Sequence, residues 1–196
     1  ITNAILFVRP TKPMPEDNYE LLVEPNLVTI TASASQGYFY ALQTIFQLLP
    51  PEIFSTDKVN GLQLTMPCVS IIDKPRYEHR GFMLDVGRHF MPISFVKKMI
   101  DLLALHKMNI VHWHLTDDQG WRIEILKYPR LTQVGSVRAE TVEGKMAYNQ
   151  PLKFDGKPHS GFYTQDEIRD VVKYAQEKYV TIIPEIEMPE IGRAHV

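Results

Sequence analysis

Three short apolar runs within residues 76–196 constrain the fold of this chain more than any other feature. Residues 81–86, 110–115 and 180–186 have the length and the apolar content of buried strands. Helix-like segments separate them, and strand-helix-strand units of this length require a parallel sheet with right-handed crossovers. We therefore expect an α/β fold in this part of the chain, with both faces of the first strand covered.

Two segments between these strands are predicted to be helices. Pro92 opens the first, which ends near His106 and is expected to turn four apolar side chains inward: Phe95, Met99, Leu102 and Leu103. The second begins at Thr164, where the sequence Thr-Gln-Asp-Glu forms a capping box, and runs to about Lys178.

Residues 1–75 predict a small α+β domain with a structural role. YELLVE and LVTITA have the composition of two strands joined by a turn at Pro25-Asn26. The next segment, GYFYALQTIFQLLP, predicts an amphipathic helix stopped by Pro50-Pro51, with five inward side chains: Tyr38, Leu42, Ile45, Phe46 and Leu49. LQLTMPCVSII is expected to form another strand pair. Pro75 interrupts the pattern, so we place the domain boundary between residues 1–75 and 76–196.

The composition limits the partners that the chain can have. A net charge of −2 argues against nucleic acid or an anionic membrane bound by electrostatics alone. No apolar run reaches the roughly 18 residues of a membrane span. The first residues resemble neither an initiator segment nor a signal peptide, so we expect a mature or trimmed segment. The single cysteine, Cys68, lies in an apolar stretch and is expected to be packed and inert.

Charged side chains follow the first two predicted strands. Arg88 comes two residues after the first strand, and Asp117 and Asp118 follow the second. Carboxyl ends of parallel strands are where α/β barrels assemble their sites. Arg donates a planar fork of hydrogen bonds and carboxylates accept them, a combination that suits a polar, ring-shaped substrate. The simpler alternatives are a surface ion pair for Arg88 and a turn for the two acids.

A pair of histidines on the second strand offers a different chemistry. His112 and His114 face the same side of the strand, and with Asp117 as a third ligand they could bind zinc. Zinc barrels of the amidohydrolase type carry such a pair on their first strand, whereas a βα unit precedes it here. We therefore favour two histidines packed inside a barrel and hydrogen-bonded to carboxylates. Glu185 and Glu187 also share a face, but at about 7 Å apart along one strand they suit support rather than an acid and nucleophile pair.

The connection between the second strand and its helix is unusually long, at about 48 residues. Such a connection on the carboxyl side of a sheet is usually functional. Trp121, Tyr148 and Phe154 could line a groove there. A self-packed insertion is the equally weighted alternative.

Five ordered motifs resemble family 20 of the glycoside hydrolases, the β-N-acetylhexosaminidases. They are GYFYALQTIFQLLP, RGFMLDVGRHF, NIVHWHLTDDQGWRIEI, GFYTQDEI and VTIIPEIEMP, and they extend from about residue 20 to residue 189. The resemblance implies a small α+β domain followed by an incomplete (β/α)₈ TIM barrel, of which this chain has the first three strands. It also implies removal of terminal β-linked N-acetylglucosamine or N-acetylgalactosamine by a retaining route. In that route the acetamido oxygen of the substrate attacks C1, an exception to the two-carboxylate scheme.

The resemblance assigns roles to individual residues. Arg88 matches the arginine that binds hydroxyls of the terminal sugar, and Asp117 matches the aspartate that supports the hydrogen-bond network of the site. We expect both Arg88 and Asp117 to be substrate-binding residues. We expect Asp118, Trp121 and Glu187 to support the site. No metal and no cofactor are expected.

Two departures from the family pattern limit what the chain can do alone. The catalytic pair of the family is an adjacent Asp-Glu after the fourth strand, preceded by glycine, whereas Asp166-Glu167 lies in a helix cap. The family also has Pro-Gly-His after the third strand, but here Pro189 is followed by Glu190, and His195 is displaced. We therefore expect an N-terminal fragment, inactive alone, whose catalytic residues lie downstream.

Two alternatives stay open at this point: a non-catalytic carbohydrate-binding module that uses Arg88 and Asp117, and a zinc-dependent barrel hydrolase that uses His112 and His114. The expected partner is an oligosaccharide or glycoconjugate containing N-acetylhexosamine. An open sheet edge also predicts self-association. We expect an extracytoplasmic location: periplasmic, secreted or lysosomal.

Overall fold

The computed structural model describes residues 4–144 and 151–188, which group into two compact units. The first unit contains Ile1–Arg80 with Ala104–Lys107, and the second contains Gly81–Leu103 with Met108–Val196. The strands are β1 Ala4–Val8, β2 Tyr19–Glu24, β3 Leu27–Thr31, β4 Val69–Asp73, β5 Gly81–Asp85, β6 Ile110–His114, β7 Thr116–Asp117, β8 Gly120–Trp121, β9 Val137–Arg138, β10 His159–Ser160 and β11 Thr181–Glu185. The α-helices are α1 Ser35–Leu48, α2 Ile93–Leu105, α3 Arg130–Gln133 and α4 Gln165–Gln176. In the described ranges, no helix has the length and apolarity needed to cross a bilayer.

A four-stranded sheet with the order β1-β3-β2-β4 forms the first unit. The predicted pair β2 and β3 is confirmed: the strands are antiparallel, and Glu24 opposite Leu27 leaves the turn to Pro25-Asn26. Strand β1, which pairs with β3 in parallel, was not predicted. The prediction of a strand pair at residues 62–72 is wrong, since only β4 forms there. Pro67 lacks the N–H that a strand would need to pair at that point.

The core of the first unit lies between this sheet and α1. Tyr19, Leu21 and Val23 are buried on one face of β2, as a period of two residues requires. On α1 the buried stripe contains Tyr40, Ala41 and Ile45, and Phe46, predicted to face inward, is 40% exposed. The prediction of a packed Cys68 is also wrong, because this cysteine is exposed.

A polar cluster lies at the edge of this core. The Nζ of Lys107 donates to Asp73 Oδ2 at 2.6 Å and to the hydroxyl of Tyr19 at 2.7 Å, and that hydroxyl donates to Asp73 Oδ2 at 2.7 Å. Burial alone would raise the pKa of Asp73, but hydrogen bonds from Lys107 and Tyr19 lower it below its ordinary value. Burial would lower the pKa of Lys107, and the same two partners raise it. The cluster therefore favours both charged forms.

The second unit is built on a parallel sheet with the order β11-β6-β5, as the sequence predicted. Val111 and Trp113 are buried on one face of β6. The prediction that β5 is covered on both faces is wrong: Phe82 is 42% and Met83 is 45% exposed. Strand β5 is an edge strand of this three-stranded sheet, and so is β11.

Helices α2 and α4 follow the predicted boundaries within about two residues. The capping box of α4 is confirmed, with Thr164 and Glu167 exchanging hydrogen bonds between side chain and backbone. On α2 the buried stripe contains Val96, Ile100 and Leu103, and Leu102 is 42% exposed, contrary to the prediction. Positions four and then three apart define that stripe, and Leu102 lies about 100° away from Leu103 around the helix.

The long connection forms two small antiparallel pairs, β7 with β8 and β9 with β10, and the short helix α3. The indole Nε1 of Trp121 donates to the carbonyl oxygen of Ile123 within the same connection. Phe154 is 46% exposed, and Tyr148 lies outside the described residues. The connection therefore has internal structure of its own.

Candidate active site

The carboxyl ends of the three parallel strands meet at one level. Asp85 of β5, His114 of β6 and Glu185 of β11 are partners in the sheet register, so they form a row across the strands. Side chains two residues apart face the same side of a strand, which brings His112 to the same face as His114. This row lies next to the predicted site residues Arg88 and Asp117.

Arg88 contacts two acids: Asp85, at the end of β5, and Asp117, in β7, which follows β6. Its Nη1 donates to Asp85 Oδ2 at 2.6 Å, and its Nη2 lies 2.8 Å from Asp117 Oδ2. The Arg88 side chain is 55% exposed, whereas that of Asp117 is 3% exposed. The two residues predicted to bind sugar are therefore adjacent, and Arg88 remains open to solute.

Close backbone approach makes this pairing possible. A Cβ added at Gly87 would lie 3.1 Å from the Cβ of Asp117, tighter than ordinary van der Waals contact. The backbone N–H of Gly87 donates to the carbonyl oxygen of His114 at 3.1 Å. Asp118 is exposed, and its backbone N–H donates to Asp117 Oδ1 at 2.6 Å. The Asp117 carboxylate thus contacts Arg88 through Oδ2 and accepts the backbone N–H of Asp118 through Oδ1.

His114 lies between the two acids that Arg88 contacts. Its Nδ1 is 3.5 Å from Asp85 Oδ1, and its Nε2 is 3.7 Å from Asp117 Oδ2. The side chain is 5% exposed, and neither ring nitrogen makes a hydrogen bond to any described residue. The expected hydrogen bond from this histidine to a carboxylate is therefore not formed, although both carboxylates are near.

His112 behaves differently from His114. Its side chain is 40% exposed, and its Nε2 lies 2.7 Å from Glu185 Oε2. Among the described residues, the acids and histidines close enough to share a cation are His114, Glu185 and Glu187, with donor atoms within 4.8 Å of one another. His112 and Asp117, two members of the zinc set considered from the sequence, are not in this group.

Each of the other two predicted supporting residues makes a hydrogen bond that involves one backbone group. Glu187 follows β11, and its N–H donates to Thr116 Oγ1 at 2.7 Å, which fixes the end of β11 to the start of β7. Trp121 donates within its own connection. An open groove of about 810 Å³ lies nearby, lined by Lys127, Tyr128, Pro129, Arg130, Leu131, Val134 and Met188. Neither Trp121 nor Phe154 lines it, so the aromatic groove predicted from these residues is not the one observed.

Arg122 has a structural role that was not predicted from the sequence. Its side chain is fully buried, and its guanidinium donates to five backbone carbonyl oxygens: those of Val86, Gly87, Gln119, Ser136 and Gly161. Burial, with a smaller contribution from Arg138, lowers the pKa of Arg122 to about 10, so the group stays charged at neutral pH. A Cβ at Gly120 would overlap the Arg122 guanidinium, which explains the glycine. The only local signal in the sequence was an arginine between two apolar residues, Trp121 and Ile123, two positions after Gly120.

Further residues beside Arg88 were also missed. Arg138 Nη1 donates to the carbonyl oxygen of Arg88 at 2.8 Å. The rings of His89 and His159 stack with centroids 4.0 Å apart, and His159 Nε2 accepts the N–H of Phe90. Burial, the neighbouring His89 and nearby arginines lower the pKa of His159 to about 4. His89 and His159 are 70 positions apart in the chain, so no local spacing could reveal the pair.

The catalytic dipeptide of the resembled family has no counterpart in the described site. Asp166 and Glu167 lie in the first turn of α4, where Glu167 completes the capping box. Residues 189–196, including the displaced His195, lie outside the described residues.

Comparison with known proteins identifies the relatives of this chain. The model of the catalytic domain of glycosyl hydrolase family 20 matches residues 77–196, and that of domain 2 of the same family matches residues 2–74. A beta-hexosaminidase from Porphyromonas gingivalis is 49% identical over 90% of this chain and 21% of its own length. A beta-hexosaminidase from Vibrio furnissii is 40% identical over 100% of this chain and 30% of its own length.

A solved structure agrees with these matches. The family 20 exo-β-N-acetylglucosaminidase from Vibrio harveyi, in complex with N-acetylglucosamine, superposes with a TM-score of 0.77 at 40% identity. The match covers 94% of this chain and 27% of that one. The chain thus spans about a fifth to a third of the relatives that it matches. Its α/β architecture, its parallel sheet and these matches together show that the chain belongs to glycosyl hydrolase family 20, a family of TIM-barrel enzymes.

Proposed function

We propose that this chain is the N-terminal part of a β-N-acetylhexosaminidase that removes terminal β-linked N-acetylglucosamine or N-acetylgalactosamine. Residues 1–75 form its small α+β domain in this proposal, and residues 76–196 form the first three strands of a (β/α)₈ barrel. The location would be extracytoplasmic. Support comes from the family membership and from relatives named beta-hexosaminidase and N,N'-diacetylchitobiase.

The observation that carries the proposal is the pair formed by Arg88 and Asp117 at the carboxyl ends of neighbouring parallel strands. In this proposal the guanidinium donates hydrogen bonds to hydroxyls of the non-reducing terminal sugar, and Asp117 fixes the guanidinium. The exposure of Arg88 supports this, because the guanidinium can reach a ligand in solution while it contacts Asp117. Asp118, Trp121 and Glu187 support the site by shaping the turn, the connection and the end of β11 respectively.

The catalytic step itself belongs to residues that this chain does not supply in the proposal. The substrate acetamido oxygen attacks C1, and a carboxylic acid protonates the leaving oxygen. General acid catalysis contributes about 10²–10⁴-fold, so hydrolysis by this chain alone should stay near background. The enzyme that contains this chain should be active.

The test compares two substrates and two proteins: the enzyme that contains this chain, and this chain alone. The enzyme that contains this chain should hydrolyse p-nitrophenyl N-acetyl-β-glucosaminide but not p-nitrophenyl β-glucoside, which lacks the acetamido nucleophile. The 196-residue chain should hydrolyse neither. Equal turnover of both substrates by the enzyme would contradict the substrate-assisted route. Turnover by the chain alone, abolished by a thiazoline-type inhibitor, would contradict the assignment of catalysis to residues elsewhere.

Metal analysis distinguishes the proposed glycosidase from a zinc-dependent hydrolase. The group of His114, Glu185 and Glu187 is the cation arrangement to be tested among the described residues. Dialysis against a chelator should leave hydrolysis by the enzyme unchanged if the acetamido oxygen is the nucleophile. Stoichiometric zinc, together with loss of activity on its removal, would instead favour a metal-dependent hydrolase.

A further inference from the structure

Asp85 contacts both the side chain and the backbone of Arg88. One carboxylate oxygen, Oδ2, accepts from Nη1 at 2.6 Å, and the other, Oδ1, accepts the Arg88 backbone N–H at 3.1 Å. A carboxylate that accepts hydrogen bonds from both the backbone N–H and the guanidinium of one arginine restricts the orientation of that arginine side chain. Asp85 is the last residue of β5, so the residue that orients Arg88 is itself held by the sheet.

The second fixed point of Arg88 is Asp117, and His114 lies between the two acids. The contacts close a ring: Arg88 to Asp85 at 2.6 Å, Asp85 to His114 at 3.5 Å, His114 to Asp117 at 3.7 Å, and Asp117 back to Arg88 at 2.8 Å. Because His114 is 5% exposed and ends β6, its ring sets the gap between the acids. Two acids at a fixed gap match the planar fork of a guanidinium.

The charge state of Asp85 agrees with this geometry. Burial alone would raise its pKa, but the backbone N–H and the side chain of Arg88 lower it, with a further contribution from His114. Asp85 is therefore ionised wherever a hydrolase works near neutral pH. Its side chain is 26% exposed, less than half the exposure of Arg88.

We propose that Asp85 and His114 are positioning residues, which orient Arg88 and space it from Asp117 so that the guanidinium meets the hydroxyls of the terminal sugar. The inference rests on the proposed function. It adds two residues that do not themselves touch the sugar. A ligand-binding group that is already ordered loses less conformational entropy on binding, so a freed Arg88 would bind more weakly.

A double-mutant cycle in the enzyme that contains this chain tests the inference. The variants are Asp85→Asn, Arg88→Ala and the two combined, with kcat and KM measured on p-nitrophenyl N-acetyl-β-glucosaminide. Asp85→Asn should lower kcat/KM roughly tenfold, chiefly through KM, because the amide keeps the shape but loses the charge that fixes the fork. In the Arg88→Ala background the same change should have almost no effect, since the group that it orients is gone.

Further variants separate positioning from folding. Asp170→Asn is the matched control, since it removes the carboxylate of a 2.7 Å ion pair with Lys97 on the helices, and it should leave kcat/KM unchanged. Asp85→Glu keeps the charge and should recover part of the loss. His114→Gln should also raise KM only when Arg88 is present. If Asp85→Asn fails to fold, Asp85→Glu and His114→Gln carry the same cycle.

The outcomes distinguish this inference from the proposed function. If Arg88→Ala retains wild-type kcat/KM, Arg88 does not bind sugar and the site assignment fails. If Arg88→Ala lowers kcat/KM but Asp85→Asn and His114→Gln do not, only the positioning inference fails. Equal losses from Asp85→Asn with and without Arg88 would also overturn it, because they would indicate a role independent of Arg88.

Discussion

The Nη2 of Arg88 lies 2.8 Å from Oδ2 of Asp117, and the two side chains differ greatly in exposure, 55% against 3%. An open guanidinium thus neutralises a carboxylate that is almost fully buried. Leaving such a carboxylate without its partner is costly. Arg88 should therefore contribute to sugar binding and also to the stability of the strand ends.

We predict that Arg88→Ala in the enzyme that contains this chain lowers kcat/KM by roughly ten- to a hundredfold, because hydrogen bonds from a charged donor contribute about 1.5–3 kcal/mol. Arg88→Lys should recover little, since an ammonium group cannot reproduce the planar fork. Steady-state kinetics on p-nitrophenyl N-acetyl-β-glucosaminide measures both. Arg169→Ala, which removes an exposed arginine paired with Asp166 on α4, should have no effect. Wild-type kinetics for a folded Arg88→Ala variant would refute the assignment.

Arg122 should matter for stability without touching substrate. Arg122→Met removes the donor of five buried or partly buried carbonyl oxygens, and we expect a loss of about 3 kcal/mol or more in the free energy of unfolding. Arg122→Lys should be intermediate, because an ammonium group has three donors where a guanidinium has five. Urea unfolding of this chain measures the effect. Arg169→Met is the exposed control, and an Arg122→Met variant as stable as that control would contradict the role.

The polar cluster of the first unit should make stability depend on pH. The folded-state pKa of Asp73 is lowered, so its contribution is present above the ordinary value of 3.8 and is lost as the pH falls below it. Asp73→Asn should therefore lower the free energy of unfolding at pH 7 by about 1 kcal/mol, a modest value because the carboxylate is partly exposed. The difference from wild type should shrink at pH 3.

Urea unfolding of both proteins at the two pH values tests this. Asp57→Asn, at an exposed loop position of the same unit, is the matched control and should change stability little at either pH. An Asp73→Asn effect that is the same at pH 3 as at pH 7 would show that the charge of Asp73 is not the source of the stability.

The open sheet of the second unit predicts self-association of this chain. Strands β5 and β11 are both edge strands, and Met83 and Ile183 are 45% and 41% exposed on the face that they share with His112. Light scattering should give a mass above the 22.6 kDa of one chain. Ile183→Lys should lower that mass, whereas Val172→Lys, on an exposed position of α4, should not. A monomer that unfolds cooperatively would count against the prediction.

The sequence predicted the elements whose signals are local. The strands β5, β6 and β11 follow from apolar runs, and the start of α4 follows from a capping box. The adjacency of Arg88 and Asp117 followed from a topological rule, that parallel strands end at one edge of their sheet. Their roles in sugar binding stay predictions.

What the sequence did not predict depends on contacts between distant positions. Strand β1 pairs in parallel with β3, and periodicity in β1 alone does not reveal that partner. Phe46 and Leu102 have the composition of core residues, but small shifts around a helix axis leave them exposed. The contact of Asp85 with Arg88 is local, at three residues apart, and could have been found from the sequence.

The acceptors of Arg122 are all backbone carbonyl oxygens, and every amino acid supplies such an oxygen. The side chains at Gln119 and Ser136 can therefore vary in related chains without removing the hydrogen bonds, as long as the backbone follows the same path. Gly161 is different, because its φ is +153° and a Cβ there would overlap the ring of Phe90. A change in loop length between these positions would move the oxygens themselves. Apart from Gly120 and Gly161, where a Cβ has no room, substitutions around Arg122 should thus be tolerated better than insertions or deletions. Engineering of this connection should therefore change residues while conserving spacing.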